Sequence, residues 1–247
     1  MSKFYDQHIR GFRVPHSIRR WGYNADVDTA AIEILWPAGG AFARLSAADE
    51  ATIVSSDADD DGSPVGAGAR TVTIYGVNGD YQHASETVTM NGVGAVTTTA
   101  KFLGVNDAVV ATAGASATNE GLLTLADQAA TGTQQCVAAL HGKSQSPLYH
   151  LGLRQEGYVV RWGGCMVKYG SAVTETATLN LCIYEGTGTV KTVVDSITLN
   201  WNAPVFHEPI PFRIPEKSVV FVEAAASADN QGIWGGFDLA IVPPTSV

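Results

Sequence analysis

The run Asp57-Ala58-Asp59-Asp60-Asp61-Gly62 is the densest group of chemistry-bearing side chains in the chain. Alternating carboxylates ahead of a glycine are how a calcium loop wraps oxygens around a hard cation. The pattern stops short, because Gly68 stands at the twelfth position, where an EF-hand needs a bidentate glutamate, and the flanks read as strands. A solvated surface turn is expected. The histidines His8, His16, His83, His141, His150 and His207 include no i, i+4 pair and no HExxH, so no histidine-ligated metal centre is indicated. Gly114-Ala115-Ser116-Ala117-Thr118 begins like a nucleophile elbow but lacks its second glycine. Gly92-Val93-Gly94 begins like a dinucleotide fingerprint, but Thr97 stands where a further glycine or alanine is required. Glu175, Glu185, Glu208, Glu216 and Glu223 fall mostly at strand ends or turns, where solvated charge is the ordinary finding and paired glycosidase carboxylates are not. Trp162, Trp201 and Trp234 suit either a sugar-stacking platform or a core. Trp162 and Trp201 lie in or at the end of alternating strands and read as core, while Trp234 follows a turn and reads as exposed. With no catalytic constellation, no cofactor and no metal indicated, the expected protein is not an enzyme and works through a surface.

The elements that must position these residues are strands. Of 247 residues 45% are hydrophobic and only 16% charged, below the roughly one quarter usual for globular chains, so long solvent-exposed helices are disfavoured. Thr71–Tyr75 alternates, breaks at Asn78-Gly79-Asp80 and resumes over Glu86–Met90, the signature of a β-hairpin. Ala51–Ser55, Ala95–Thr99, Val105–Thr112 and Gly121–Leu125 read as further strands. The stretch from Gln128 to Pro147 loses alternation and reads as a linker or crossover. Beyond it Tyr149–Leu153, Tyr158–Lys168, Thr176–Tyr184, Thr189–Asn200, Phe206–Phe212, Ser218–Ala226 and Phe237–Val242 make seven strands parted by turn segments. The expectation is an all-β protein of antiparallel, jelly-roll-like β-sandwich units with an extended N-terminal arm. Its parts are an arm over 1–28, a β-rich domain over 29–145 and a β-sandwich over 146–247.

Charge singles out the amino end. The formal net charge is −9, yet residues 1–22 carry Lys3, Arg10, Arg13, Arg19 and Arg20 against Asp6 alone, a net +4 that leaves −13 for the rest. Phe4, Tyr5, Phe12 and Trp21 are interleaved with these cations. An acidic body repels free nucleic acid, whereas a basic aromatic arm can dock on an acidic protein surface or on phosphates, or fold over its own acidic body. Removal of residues 1–22 is expected to leave a folded body. No run approaches the roughly 18 apolar residues that span a bilayer, and the amino end has no apolar core or cleavage site of an export signal, so a soluble protein without a membrane partner is expected. Cys136, Cys165 and Cys182 form no CxxC pair, and reduced thiols packed as small apolar groups are expected, although a hairpin near Ala172 would bring Cys165 and Cys182 face to face.

The string GARTVTIYGVNGDYQHASETVTMNGVGAVTTTAKFLGVNDAVVATAGASATNEG resembles a segment recurrent in virion structural proteins of tailed bacteriophages. Upstream, WGYNADVDTAAIEILWPAGGAF is similar to their opening segment, and FHEPIPFRIPEKSVVFVEAAASADNQGIWGGFDLAIV to their closing half. The similar parts run from Trp21 to Val242. One departure is Arg154-Gln155-Glu156-Gly157, where the pattern has a proline-glycine-lysine turn. The resemblance implies a capsid decoration or cement protein, made in the host cytoplasm and located on the virion surface. Its implied partners are the major capsid protein and further copies of itself as a homotrimer. Phe4, Tyr5, Arg10, Phe12, Arg13, Arg19, Arg20 and Trp21 are then the expected capsid or inter-subunit contacts. A neck, tail or fibre-attachment protein that binds the host is the alternative within the virion, and a glycan-depolymerising enzyme the alternative outside that class.

Overall fold

The computed structural model describes residues 16–129, 132–168, 170, 172, 174–201, 203–208 and 213–242, and among these no helix occurs. In chain order the strands begin with β1 (His16–Val27) and β2 (Glu33–Ile34). Next come β3 (Asp49–Ser55), β4 (Ala69–Val77), β5 (His83–Thr89), β6 (Val96–Phe102), β7 (Gly104–Ala113), β8 (Leu123–Asp127) and β9 (Thr133–Val137). The remainder are β10 (Leu148–His150), β11 (Glu156–Lys168), β12 (Thr176–Tyr184), β13 (Lys191–Asn200), β14 (Val205–His207), β15 (Arg213–Ile214), β16 (Val219–Ala226) and β17 (Gln231–Val242). The described residues form two compact units, one drawn from residues 16–35, 39–41 and 147–242 and one from residues 36–38 and 42–146.

The first unit is a two-sheet antiparallel sandwich. One sheet has the order β1-β17-β11-β14, with β15 also on β11, and the other the order β10-β16-β12-β13, with β2 also on β16. Counted along this unit's eight principal strands, the orders are 1-8-3-6 and 2-7-4-5, which is the doubled Greek key of a jelly roll. The inner faces close on a core that includes Leu151, Val159, Trp162, Leu179, Leu181, Val220, Val222, Phe237 and Leu239. The first strand of this jelly roll comes from the segment expected as an extended arm. β1 pairs with β17 from His16↔Ile241 through Asn24↔Ile233, so residues 16–27 are an integral strand and only residues 1–15 of the expected arm lie outside the described residues. The whole second unit is therefore spliced into the connection between the jelly roll's first and second strands.

The second unit packs a four-stranded sheet, β6-β3-β8-β9, on a three-stranded sheet, β5-β4-β7. Ile53, Val72, Ile74, Met90, Phe102, Leu123 and Leu125 fill its core. The expected hairpin is β4–β5, in register from Thr71↔Thr89 to Val77↔His83. Its turn is held by the Asn78 side chain, whose Oδ1 accepts from the N–H groups of Asp80 and Gln82 at 3.0 and 2.9 Å. The stretch read as a linker contains β9, which pairs with β8. Alternation fails there because Gln134, Gln135, Cys136 and Val137 are all buried, so no polar face marks the strand.

The acidic run departs from a solvated turn at one residue. Asp60 is fully buried, and its carboxylate accepts from Ser55 Oγ at 2.6 Å, Ala69 N at 2.7 Å, Glu120 N at 2.8 Å and Gly121 N at 2.9 Å. Asp57 and Asp61 turn their side chains back on the N–H groups of Asp59 and Ser63. The carboxylates thus serve the loop's own donors, and among the described residues no group of three or more His, Cys, Asp or Glu is arranged to hold a metal ion. Gly66 is required here, since a Cβ on it would lie 2.1 Å from Asp59 O.

Candidate interaction face

The outer face of the β1-β17-β11-β14 sheet gathers the side chains best suited to binding. Alternation along β1 sends Arg19, Trp21 and Tyr23 outward. Across the ladders one row reads Trp21, Gly236, Gly163 and Phe206 on four successive strands. Three strand spacings separate Trp21 from Phe206, about 14 Å of sheet, yet their ring centroids are 5.9 Å apart. The two central glycines make this possible, because with no side chains between them the flanking rings fold inward and meet over bare backbone. A Cβ on Gly236 would stand 2.1 Å from Arg20 O and 2.6 Å from Trp21 Cα, and Gly163 has φ +152 with Val205 O at 2.1 Å from its Cβ position.

Trp234 completes the group. It stacks on Trp21 with centroids 4.5 Å apart and planes inclined by 16°, and it meets Phe206 edge-on at 6.3 Å. The Arg161 guanidinium lies 5.6 Å from the Trp21 ring and 5.2 Å from the Phe206 ring. Asp238 ties the cluster down, accepting from Trp21 Nε1 at 2.8 Å and pairing with Arg19 at 3.3 Å and Arg161 at 3.3 Å. Phe206 remains 43% exposed and the Arg19 side chain 70%, so the cluster is preassembled but open to a partner. Trp, Tyr and Arg held rigid in this way are the residue types that dominate protein interfaces.

The expected contact residues divide. Arg19 and Trp21 lie on this face. Arg20 is on the opposite side, opposite the buried Phe237, with its guanidinium 5.4 Å from the Tyr149 ring. It braces β1 against β10, because successive strand residues point to opposite faces. Phe4, Tyr5, Arg10, Phe12 and Arg13 lie outside the described residues. Of the three tryptophans weighed as a sugar platform, Trp162 is fully buried and donates Nε1 to Asp195 Oδ2 at 3.0 Å, and Trp201 packs partly buried against the core. Trp234 is half-buried, with one ring face given to Trp21. The sequence reading missed Arg161, Phe206 and Asp238. The signal that would have found them is the twin Trp-Gly-Gly at residues 162–164 and 234–236, whose glycines pair directly as Gly163↔Gly236 and Gly164↔Gly235.

The thiols do not suit nucleophilic work. Burial pushes Cys136 up to about 12, and burial together with the neighbouring Glu223 carboxylate pushes Cys182 up further. Cys165, on the outer face opposite Trp234, is also raised by burial. All three are free, and Cys165 and Cys182 sit in different sheets rather than facing one another across a hairpin.

Fold and face together define an all-β protein whose first unit is a jelly-roll sandwich with an aromatic and guanidinium patch on one sheet. No protein-family model matches the chain, and no curated protein does. Among solved structures it is similar to a chain of infectious bursal disease virus, Gt strain, with TM-score 0.27 and 10% identity over 94% of this chain and 72% of that one. A chain of the Gx strain of the same virus gives TM-score 0.22 and 13% identity over 95% and 73%. Similarity at this level carries no argument about function.

Proposed function

We propose that this chain is a non-enzymatic virion structural protein of tailed-phage type, a decoration or cement protein that binds the outer capsid surface and bridges subunits of the major capsid protein. The observation that carries the reading is the preassembled Trp21–Trp234–Phe206 cluster framed by Arg19 and Arg161 on an open sheet face. The Trp21 ring and the Arg19 and Arg161 guanidiniums, already held on Asp238, lose little conformational freedom on docking, which favours a contact repeated many times on a lattice. The resemblance of residues 21–242 to virion proteins supports the same assignment, as does the recurrence of jelly rolls in capsid domains, an analogy of fold. Arg20 is left out of the contact because it faces inward.

Quantitative mass spectrometry of purified virions, together with binding of the purified chain to undecorated shells, tests this reading. A copy number comparable to that of the major capsid protein is expected, with Phe206→Glu weakening shell binding at least about 30-fold, the effect of losing one interface anchor. A copy number fixed by a portal or tail would overturn the decoration role and assign the chain to the neck or tail. Unchanged binding of Phe206→Glu would remove this face from the contact.

A further inference from the structure

The dipeptide Asn-Gly occurs twice in the chain, at Asn78-Gly79 and at Asn91-Gly92, and both lie in turns of the second unit. In such a pair no side chain shields the glycine nitrogen, which stands one five-membered ring closure away from the asparagine amide carbon. Two features set by the fold govern that closure: the freedom of the glycine N–H, and the donors available to the amide oxygen as it takes up charge. The two turns set them oppositely.

Between β4 and β5, Asn78 N donates to Gln82 O and Tyr81 N to Asn78 O, both at 2.9 Å. Asp80 N and Gln82 N both donate to Asn78 Oδ1. Gly79 is the exception in this turn: it is exposed, and its N–H has no acceptor among the described residues. The bond from Asp80 to Oδ1 closes a ring that contains both Asn78 Cγ and Gly79 N, so the side chain is held back toward its own main chain. Two N–H donors on Oδ1 polarise the carbonyl and are aimed where negative charge gathers when a nucleophile adds to Cγ. Asn91-Gly92 is the reverse case. Gly92 is buried, and its N–H donates to Asp60 O at 2.8 Å. Its Cβ position lies 2.9 Å from Ala58 O and 3.1 Å from Ala58 Cα, which leaves the peptide little room to rotate. No described residue donates to Asn91 Oδ1.

We propose that Asn78 is a site of spontaneous deamidation in the folded protein, and that Asn91, with the same dipeptide, is protected. Water is the one co-reactant. Hydroxide or a buffer base takes the Gly79 N–H proton, the nitrogen bonds to Asn78 Cγ, and the Cγ–Nδ2 bond breaks with release of ammonia. Water then opens the resulting succinimide at either carbonyl. The product is aspartate or, with the main chain rerouted through Cγ, isoaspartate. Each conversion makes the chain one unit more negative than its formal −9 and sets a new carboxylate two residues from Asp80. The isoaspartate form also lengthens the β4–β5 turn by one main-chain carbon. The modification does not depend on the virion reading, since it is a property of the purified chain.

The test incubates the full-length chain in mildly alkaline buffer, folded or in urea, and follows both asparagines by tryptic digestion and mass spectrometry. They fall in the single peptide of residues 71–101, after Arg70 and ending at Lys101, so fragment masses compare them under identical conditions. In the folded chain Asn78 is expected to convert at least about tenfold faster than Asn91, the factor carried by one hydrogen bond of roughly 1.4 kcal/mol on Gly92 N–H. In urea the two rates are expected to converge. Gly79→Ala is expected to keep the hairpin, since the nearest atom to its Cβ position beyond the chain neighbours is Ala48 Cβ at 3.4 Å. Its methyl group hinders approach of the nitrogen to Cγ, so conversion at Asn78 is expected to slow. A folded-state ratio below tenfold, or a ratio that persists in urea, would overturn the proposal.

Discussion

Replacing Asp60 by asparagine separates an internal anchor from a cation loop. In the folded chain Oδ1 takes Ala69 N and Glu120 N, while Oδ2 takes Ser55 Oγ and Gly121 N. Asparagine keeps one acceptor oxygen, which serves Ala69 and Glu120. Its amide NH2 then faces the other pair. The Ser55 hydroxyl can rotate and accept from it, but the Gly121 N–H cannot, and a buried N–H without a partner costs about 1–3 kcal/mol. The two bonds that survive change from charge-assisted to neutral, a loss of about 1 kcal/mol each. The sum is about 3–5 kcal/mol, a large share of the 5–15 kcal/mol typical of a folded domain. At about 4–8 °C per kcal/mol for a domain near 100 residues, the melting transition of the second unit is expected to fall by at least about 12 °C. Differential scanning calorimetry of wild type and Asp60→Asn, each with and without chelator, reads both possibilities at once. Chelator is expected to move neither transition. A shift on Asp60→Asn below about 4 °C, or a wild-type transition that chelator lowers by as much as the substitution does, would refute the anchor.

Deletion of residues through Gly22 removes the first half of β1 and uncovers Phe237 and Leu239, so it is expected to abolish the jelly-roll transition in calorimetry, whereas deletion through Pro15 retains every described β1 pair and the transition with it. Equal behaviour of the two truncations would count against the integral role of β1. For Glu86, desolvation pushes the carboxyl up but is outweighed by donation from Ala100 N and from Thr99 N and Oγ1, leaving it below its ordinary value. A depressed folded-state value stabilises the fold above the unfolded value of about 4.3, and that stability is lost as pH falls through the folded-state value. Glu86→Gln is accordingly expected to lower urea stability at neutral pH and to flatten its decline between pH 5 and acid, as read by tryptophan fluorescence. Native thiol titration with an aromatic disulfide is expected to find no more than Cys165 reactive, and all three cysteines after denaturation, since Cys136 and Cys182 are buried.

Legibility in the sequence followed periodicity. The β4–β5 hairpin, strands β7, β8, β11, β12, β13 and β16 and the second half of β17 were readable because one face of each is buried or turn residues bound it, whereas Gln231–Gly236 of β17 did not read as strand. β1 was not, and its residues show why. The inner face of HSIRRWGYNADV carries Ile18, Arg20, Gly22 and Asn24, while the outer face carries Trp21 and Tyr23, so the usual apolar-in, polar-out rule runs partly backwards. Asp60 was hidden among its exposed neighbours for a related reason: nothing local distinguishes a carboxylate that will meet Glu120 and Gly121 some sixty residues on.

Sequence alone determined the fold class of the protein: alternation, β-branched composition and turn dipeptides are local properties, and they sufficed for an all-β antiparallel sandwich. Only the tertiary structure decided which strands are neighbours. β1 meets β17 across more than two hundred residues of chain, and that long-range pairing completes the jelly roll. It also carries Trp21 to Trp234 and Phe206, over glycines whose lack of side chains has meaning only once four strands lie side by side.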